Sequence, residues 1–235
     1  MSDHRLPRVA GAVIGVLERL DNVTLLREAM PLDLFMDDHH KGVWWNARRA
    51  WEHLSLSSAD YVLLIQDDVR LCIDFRAAIP WMLSHLPGPS IVGLFCSGKN
   101  RMMVNAQEVK ASWIEASEVW GQAIVMPRGW VQGMLEWLDK RIKESWPHDD
   151  NRVSLWASCT GHPMRITVPS LVDHLPDFKS TMGHAVSGSP IPCVGSGLAV
   201  NWHEPSFVAG RPLPRSKYQT ALIDPEAFFR EYPTA

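Results

Sequence analysis

The chain has 235 residues, 46% of them hydrophobic and 21% charged, with a formal net charge of −3. This is enough apolar material for one large domain, or one with a modest appendage, and it excludes a disordered or fibrous protein. The slightly acidic balance excludes a global positive field that would gather nucleic acid or an anionic membrane, while leaving room for a local basic groove.

The four cysteines, Cys72, Cys96, Cys159 and Cys193, lie far apart and form no CxxC pair, so a zinc ribbon or thioredoxin-like motif has no support and the thiols read as reduced. Near the N-terminus an apolar stretch of about eight residues meets Glu18, Arg19 and Asp21, too short for a membrane span and without a signal-peptide cleavage site. A cytoplasmic protein without membrane insertion is expected. Trp is unusually frequent, with 11 residues against 3 Tyr; most are expected in the core, the others as flat platforms for a ring-shaped ligand.

In chain order, "RVAGAVIGV" (8–16) reads as a buried strand, and "NVTLLREAM" (22–30) carries helical spacing in Val23, Leu26 and Met30. "PLDLFMDD" (31–38) predicts a second strand ending at Asp37 and Asp38. "GVWWNARRAWEHLS" (42–55) places Val43, Ala47, Ala50, Trp51 and Leu54 on one helical face, with Asn46, Arg49 and His53 elsewhere. "YVLLIQ" (61–66) is the third strand. Strand, helix, strand, helix, strand predicts βαβ units and a parallel sheet, whose ligands sit beyond the carboxyl ends of the strands.

Asp74 is suited to cap a helix over 75–86, followed by a strand over 90–98, while 99–111 shows no clear period and reads as an excursion or loop. "SWIEA" (112–116) and "GQAIVMP" (121–127) read as short strands around a turn. The spacing predicts a helix over 128–146, with Val131, Leu135, Leu138 and Ile142 on one face, then a helix over 151–160 opened by His148, Asp149 and Asp150 and stopped by Gly161. "MRITVPSLVDH" (164–174) reads as one strand. Residues 187–235 are rich in Gly, Pro and Ser and read as a wrapping tail on the same domain.

The most informative stretch is "ADYVLLIQDDV" (59–69), an apolar run that stops at two carboxylates. Strands often finish in Asp because Asp suits turns. Equally, a hard cation such as Mg²⁺ or Mn²⁺ takes one or two protein carboxylates and completes its shell with water and phosphate, which Asp67 and Asp68 can supply without a preformed cage. Asp37-Asp38 in "DDHHK" passes as a solvated turn that includes His39 and His40, or as an acceptor for a nucleobase or a ribose hydroxyl. In "HDDNR" one Asp suits an N-cap and the other is left free as a general base. His174 follows an apolar strand, where a lone His is usually structural; neutral imidazole can also complete an octahedral site of Asp and phosphate oxygens, with His184 a second candidate.

The order of these motifs, from about residue 8 to residue 184, resembles the GT-A fold of nucleotide-sugar glycosyltransferases. "FMDDHHKGVWWNARRAWEHL" is similar to that family's base-recognition acid, glycine turn and Asn-bearing helix, and "ADYVLLIQDDV" falls where its DXD motif sits, here QDD with Gln66 in first place. "VWGQAIVMPRGWVQGML" is similar to the acceptor-side strand and helix, "HDDNRVSLWASCTGHP" to the acid-acid-helix-glycine pattern of inverting members, and "VPSLVDH" to a C-terminal PSLxxH.

The resemblance implies a mixed, mostly parallel, Rossmann-like α/β sheet flanked by helices. It makes 1–186 the catalytic domain, with a nucleotide-binding half over about 8–100 and an acceptor half over about 101–186, ahead of the irregular tail. Asp68 and His174 would hold Mn²⁺ or Mg²⁺; Asp37, Asp38, Asn46, Asp67, Trp120 and Gly121 would bind nucleotide and sugar. Asp150 would be the base, with Asp149 its alternate. The implied activity is metal-dependent transfer of a sugar from a nucleoside diphosphate, UDP-sugars included, to a hydroxyl on a small molecule, glycan, protein or modified DNA, with inversion. A metal-dependent nucleotidyltransferase or phosphohydrolase, and a binding module that has lost turnover, are the alternatives; Gln66 is the sequence support for the last.

Overall fold

The computed structural model describes residues 5–97, 101–178, 188–204, 206–208 and 218–231. Three parallel strands begin the fold: β1 (Val9–Gly15), β2 (Asp33–Met36) and β3 (Tyr61–Gln66), joined through helices α1 (Leu20–Ala29) and α2 (Val43–Ser55). Then come β4 (Val69–Leu71), α3 (Phe75–Ser84), β5 (Ile91–Gly93), α4 (Met102–Glu108), β6 (Trp113–Ala116), β7 (Ala123–Pro127), α5 (Arg128–Arg141) and α6 (Asp149–Thr160). The chain continues through β8 (Met164–Thr167), β9 (Val172–His174), β10 (Ser206–Val208) and α7 (Pro225–Glu231). Eight strands form one mixed sheet in the order β10-β6-β8-β5-β7-β3-β1-β2, while β4 and β9 pair separately as an antiparallel ribbon.

Strand alternation divides the interior into two layers, as a period of two requires. In β3, Val62 and Leu64 enter the core shared with α2, α5 and α6, whereas Leu63 and Ile65 enter the core shared with α1 and α3. β1 divides likewise, Ala12 and Ile14 to one side and Val13 to the other. Both faces of the sheet are therefore covered by helices, and the carboxyl ends of β1, β2 and β3 are left to face the cleft. No helix among the described residues is long and apolar enough to cross a membrane.

Several elements differ from the sequence expectation. Residues 102–108 are helical, with Met103 and Ala106 buried; so short a helix offers too few turns for a period to emerge. The helix over 128–146 stops at Arg141, because Ile142 is extended and bridges Leu222, although Val131, Leu135, Leu138 and Ile142 are all buried. Residues 164–174 divide into β8 and β9, which lie in different sheets with Pro169, lacking an N–H for a ladder, in the turn between them. β6 and β7 do not pair: β7 lies between β3 and β5, and β6 between β10 and β8.

Among the described residues of the expected strand over 90–98, the strand is Ile91–Gly93. Asp74 precedes α3 in a left-handed conformation with φ 58° and caps nothing with its side chain, which instead accepts from Ser196 Oγ at 2.7 Å. Within the tail, β10 extends the sheet edge beside β6, and Tyr218, Ala221, Leu222 and Phe228 are buried in the α2–α5–α6 core. Of the 11 Trp, Trp44, Trp51, Trp113, Trp156 and Trp202 are buried. Trp120 and Trp146 are half-buried at the cleft.

Candidate functional site

A cleft of about 960 Å³ opens at the carboxyl ends of β1, β2 and β3 and the amino end of β7. Asp37, Asn46, Asp67, Asp68, Trp120, Gly121, Asp149, Asp150 and His174 line it, from six separate stretches of sequence, and so do Arg19 and Gln66. Asp38 does not. Its side chain is 54% exposed, 3.8 Å from the His39 imidazole on the outer surface of the turn. His184 lies outside the described residues.

Asp37 is buried because it organises the loop before α2: its Oδ1 accepts the Lys41 N–H at 2.8 Å and its Oδ2 the Gly42 N–H at 2.7 Å. Asn46, one turn into α2, donates from Nδ2 to the carbonyls of Phe35 at 2.8 Å and Gly15 at 3.3 Å, so it ties the ends of β2 and β1 together. Those two bonds fix the amide's orientation and leave Oδ1 buried with no partner among the described residues. A buried acceptor of this kind is costly unless a ligand N–H or O–H meets it.

Asp67 and Asp68 are 4% and 6% exposed, yet they are not a free pair. Asp67 Oδ2 accepts the Val16 N–H at 2.8 Å, and Arg19 donates from one guanidinium nitrogen to Asp67 Oδ1 at 2.7 Å and Asp68 Oδ2 at 3.2 Å. Burial raises the Asp67 pKa, working against the Val16 amide and the Arg19 charge. Gly15 is required by this packing, since a Cβ there would lie 2.8 Å from Asp67 Oδ2.

His174 Nδ1 lies 3.0 Å from the Leu175 carbonyl, a contact that needs a proton on Nδ1. Its Nε2 then faces Asp68 Oδ2 at 3.3 Å, while Asp68 Oδ1 is buried without a partner among the described residues. Burial disfavours the charged imidazole, but the hydrogen bond and charge of Asp68 outweigh it, and the His174 pKa is raised. With Nδ1 on the Leu175 carbonyl, Nε2 is the atom that would reach a cation once it gives up its hydrogen bond to Asp68, and one carboxylate with one imidazole suits a hard metal whose remaining ligands come from water and substrate phosphates. No cluster of three or more metal-binding side chains occurs among the described residues.

On the opposite wall α6 begins with His148 as its N-cap residue, whose side chain makes no cap hydrogen bond. The two Asp expected at the cap stand in the first turn instead. Asp149 is 6% exposed and accepts from Gln66 Nε2 at 3.2 Å, whereas Asp150 is half-buried and its Oδ1 accepts the Asn151 N–H at 2.6 Å. Burial first, and Asp150 second, push Asp149 up to about 7. Arg152, 2% exposed, donates to the carbonyls of Lys143, Glu144 and Trp146 and lies over the Trp44 ring at 4.4 Å, clamping the turn that leads into the acid pair.

Sequence reasoning missed Arg19, Arg152 and the role of Gln66. Arg19 had one usable signal: it follows β1 in a βαβ unit, so its loop lies on the same edge as Asp67 and Asp68. Arg152 interrupts an otherwise apolar helical face. The sequence singled out Gln66 but not its partner, which is 83 residues away.

No protein-family model matches the chain, and no curated protein does. Among solved structures it is similar to the mannosyltransferase PcManGT from Pyrobaculum calidifontis in complex with GDP-Man and Mn²⁺, at TM-score 0.43 and 14% identity, over 70% of this chain and 57% of that one. It is also similar to a mutant Drosophila β1,4-galactosyltransferase 7 in complex with manganese, UDP-Gal and xylobiose, at TM-score 0.39 and 9% identity, over 70% of each chain.

Proposed function

We propose that this chain is a metal-dependent glycosyltransferase that moves a sugar from a nucleoside-diphosphate sugar to a hydroxyl acceptor with inversion. The observation that carries the reading is the facing of two unlike groups across one cleft: Asp68 with His174 on one wall, where Asp68 Oδ1 is buried without a partner among the described residues, and the acid pair Asp149-Asp150 on the other.

Asp68 and His174 would hold Mn²⁺ or Mg²⁺, which when bound supplies positive charge where the diphosphate departs. Arg19 stands beside them as a permanent cation. Asn46 Oδ1 accepts a hydrogen bond from the base, on the loop that Asp37 orders, and Asp67, Trp120 and Gly121 bound the sugar. A carboxylate of the acid pair takes the acceptor's hydroxyl proton as the acceptor oxygen bonds to the anomeric carbon. The bond from that carbon to the phosphate oxygen breaks, and the diphosphate leaves with the electron pair. Burial and the Gln66 tether favour Asp149 over Asp150 as that base, since a pKa of about 7 suits proton transfer near neutrality.

Product analysis after incubation with a panel of nucleotide sugars, Mn²⁺ and hydroxyl acceptors tests the reading. Free nucleoside diphosphate together with a glycosylated acceptor is expected; pyrophosphate would indicate nucleotidyl transfer, and nucleoside diphosphate with free sugar a hydrolase. Asp149→Asn and Asp150→Asn separate the two acids, the first abolishing transfer and the second retaining most of it. A second reading has its own support. Arg19 already partners both Asp67 and Asp68, as in a module that holds a nucleotide sugar without metal; saturable donor binding in EDTA with no turnover would select it.

A further inference from the structure

Gln66 is the last residue of β3, two positions before the Asp68 carboxylate, and its amide is turned across the cleft toward α6. Nε2 donates to Asp149 Oδ2 at 3.2 Å. Gly121, just before β7, closes on both partners. A Cβ at that position would lie 2.7 Å from Gln66 Nε2 and 3.1 Å from Asp149 Oδ1, so only glycine leaves the pair undisturbed.

The charged groups acting on Asp149 are Asp150, adjacent in α6, and Arg152, one turn along, whose guanidinium is committed to the carbonyls of the preceding turn. We propose that Gln66 is the positioning residue for the base. Its neutral amide holds the Asp149 carboxylate against Gly121 and ties it to the strand end that carries Asp68, so the base and the diphosphate site keep one register. This rests on the glycosyl-transfer reading above.

The chemistry explains why an amide stands here. An N–H donor favours the ionised carboxylate, which is the form that accepts a proton. A glutamate in its place would set two buried carboxylates about 3 Å apart, where they would share one proton and the base would be spent at neutral pH.

Gln66→Met keeps the length of the side chain and removes its donors; Gln66→Glu keeps its shape and adds a charge. With the full-length chain, kcat for transfer falls roughly 10- to 100-fold in Gln66→Met, as expected for a lost hydrogen bond to a charged group, while donor affinity by calorimetry stays within about twofold. The acid limb of the kcat–pH profile moves to higher pH, further in Gln66→Glu than in Gln66→Met. In an Asp149→Asn background Gln66→Met has no additional effect. The carboxyl titration of Asp149, followed by ¹³C NMR without substrate, moves upward in both variants. An unchanged titration in both, or an equal loss of kcat with and without Asp149, overturns the positioning role. If the titration shifts but the parent protein transfers no sugar, the glycosyltransferase reading fails and the positioning of Asp149 stands.

Discussion

Two sets of carboxylates in this cleft are buried to the same degree and partnered in opposite ways. Asp67 and Asp68, 4% and 6% exposed, share the Arg19 guanidinium; Asp149, also 6% exposed, is held by the neutral amide of Gln66. Burial raises the carboxyl pKa in both places; at Asp67 the Val16 amide and the Arg19 cation work against it, whereas at Asp149 the charge of Asp150 adds to it. One wall sets a fixed cation against its carboxylates, and on the other burial and the Asp150 charge push Asp149 up to about 7, where it can gain and lose a proton in a catalytic cycle.

The sharpest break in this comparison is Asp149→Asn, which removes the poised carboxylate and leaves the ion-paired wall intact. Transfer should fall by roughly 10²–10⁴-fold with nucleotide-sugar affinity by calorimetry preserved, and near-normal turnover would defeat the base assignment. Arg19→Met attacks the other wall. It strands two buried carboxylates and should cost about 3–5 kcal/mol in urea unfolding; a loss below about 1 kcal/mol would mean that water already solvates them.

Asp68→Asn or His174→Ala should lower the Mn²⁺-dependent part of nucleoside-diphosphate affinity by at least about 10-fold, measured by titration with and without EDTA. Equal affinities in parent and variant would remove these two residues from the metal site.

The pH dependence sharpens the contrast further. Transfer should decline below about pH 7 as Asp149 takes up its proton. Its pKa in the folded state lies above the ordinary value of 3.8, so the stability it contributes is complete below about pH 4 and is lost as pH rises through about 7. Asp149→Asn should therefore raise Tm over the parent by a few degrees at pH 8, roughly 2–4 °C per kcal/mol for a chain of this size, with little difference at pH 4. The smallest effect belongs to Asp38→Asn, an exposed surface change expected to alter nucleotide affinity by no more than about twofold and stability by no more than about 0.5 kcal/mol.

The elements readable in the sequence are those whose side chains must satisfy one geometric period. Tyr61–Gln66 alternates between two cores, and Val43–Ser55 turns Ala47, Ala50, Trp51 and Leu54 inward, so both announced themselves. Met102–Glu108 buries only Met103 and Ala106, too little for a pattern. The same limit separates the site residues. Asp37, Asp67 and Asp68 stand at the ends of strands whose direction was evident, whereas Arg19, in a short 3-10 turn, reads as one more charge closing an apolar run.

From the sequence alone came the βαβαβ start, the edge to which the acids converge, and the candidates Asp68, Asp149, Asp150 and His174, because strand period and chain direction are local properties. Only the tertiary structure decided how those acids are held: Arg19 between Asp67 and Asp68, and Gln66 on Asp149. Hydrogen bonds and ion pairs between residues 48 to 83 positions apart depend on how the layers pack, and no local pattern in the chain encodes them.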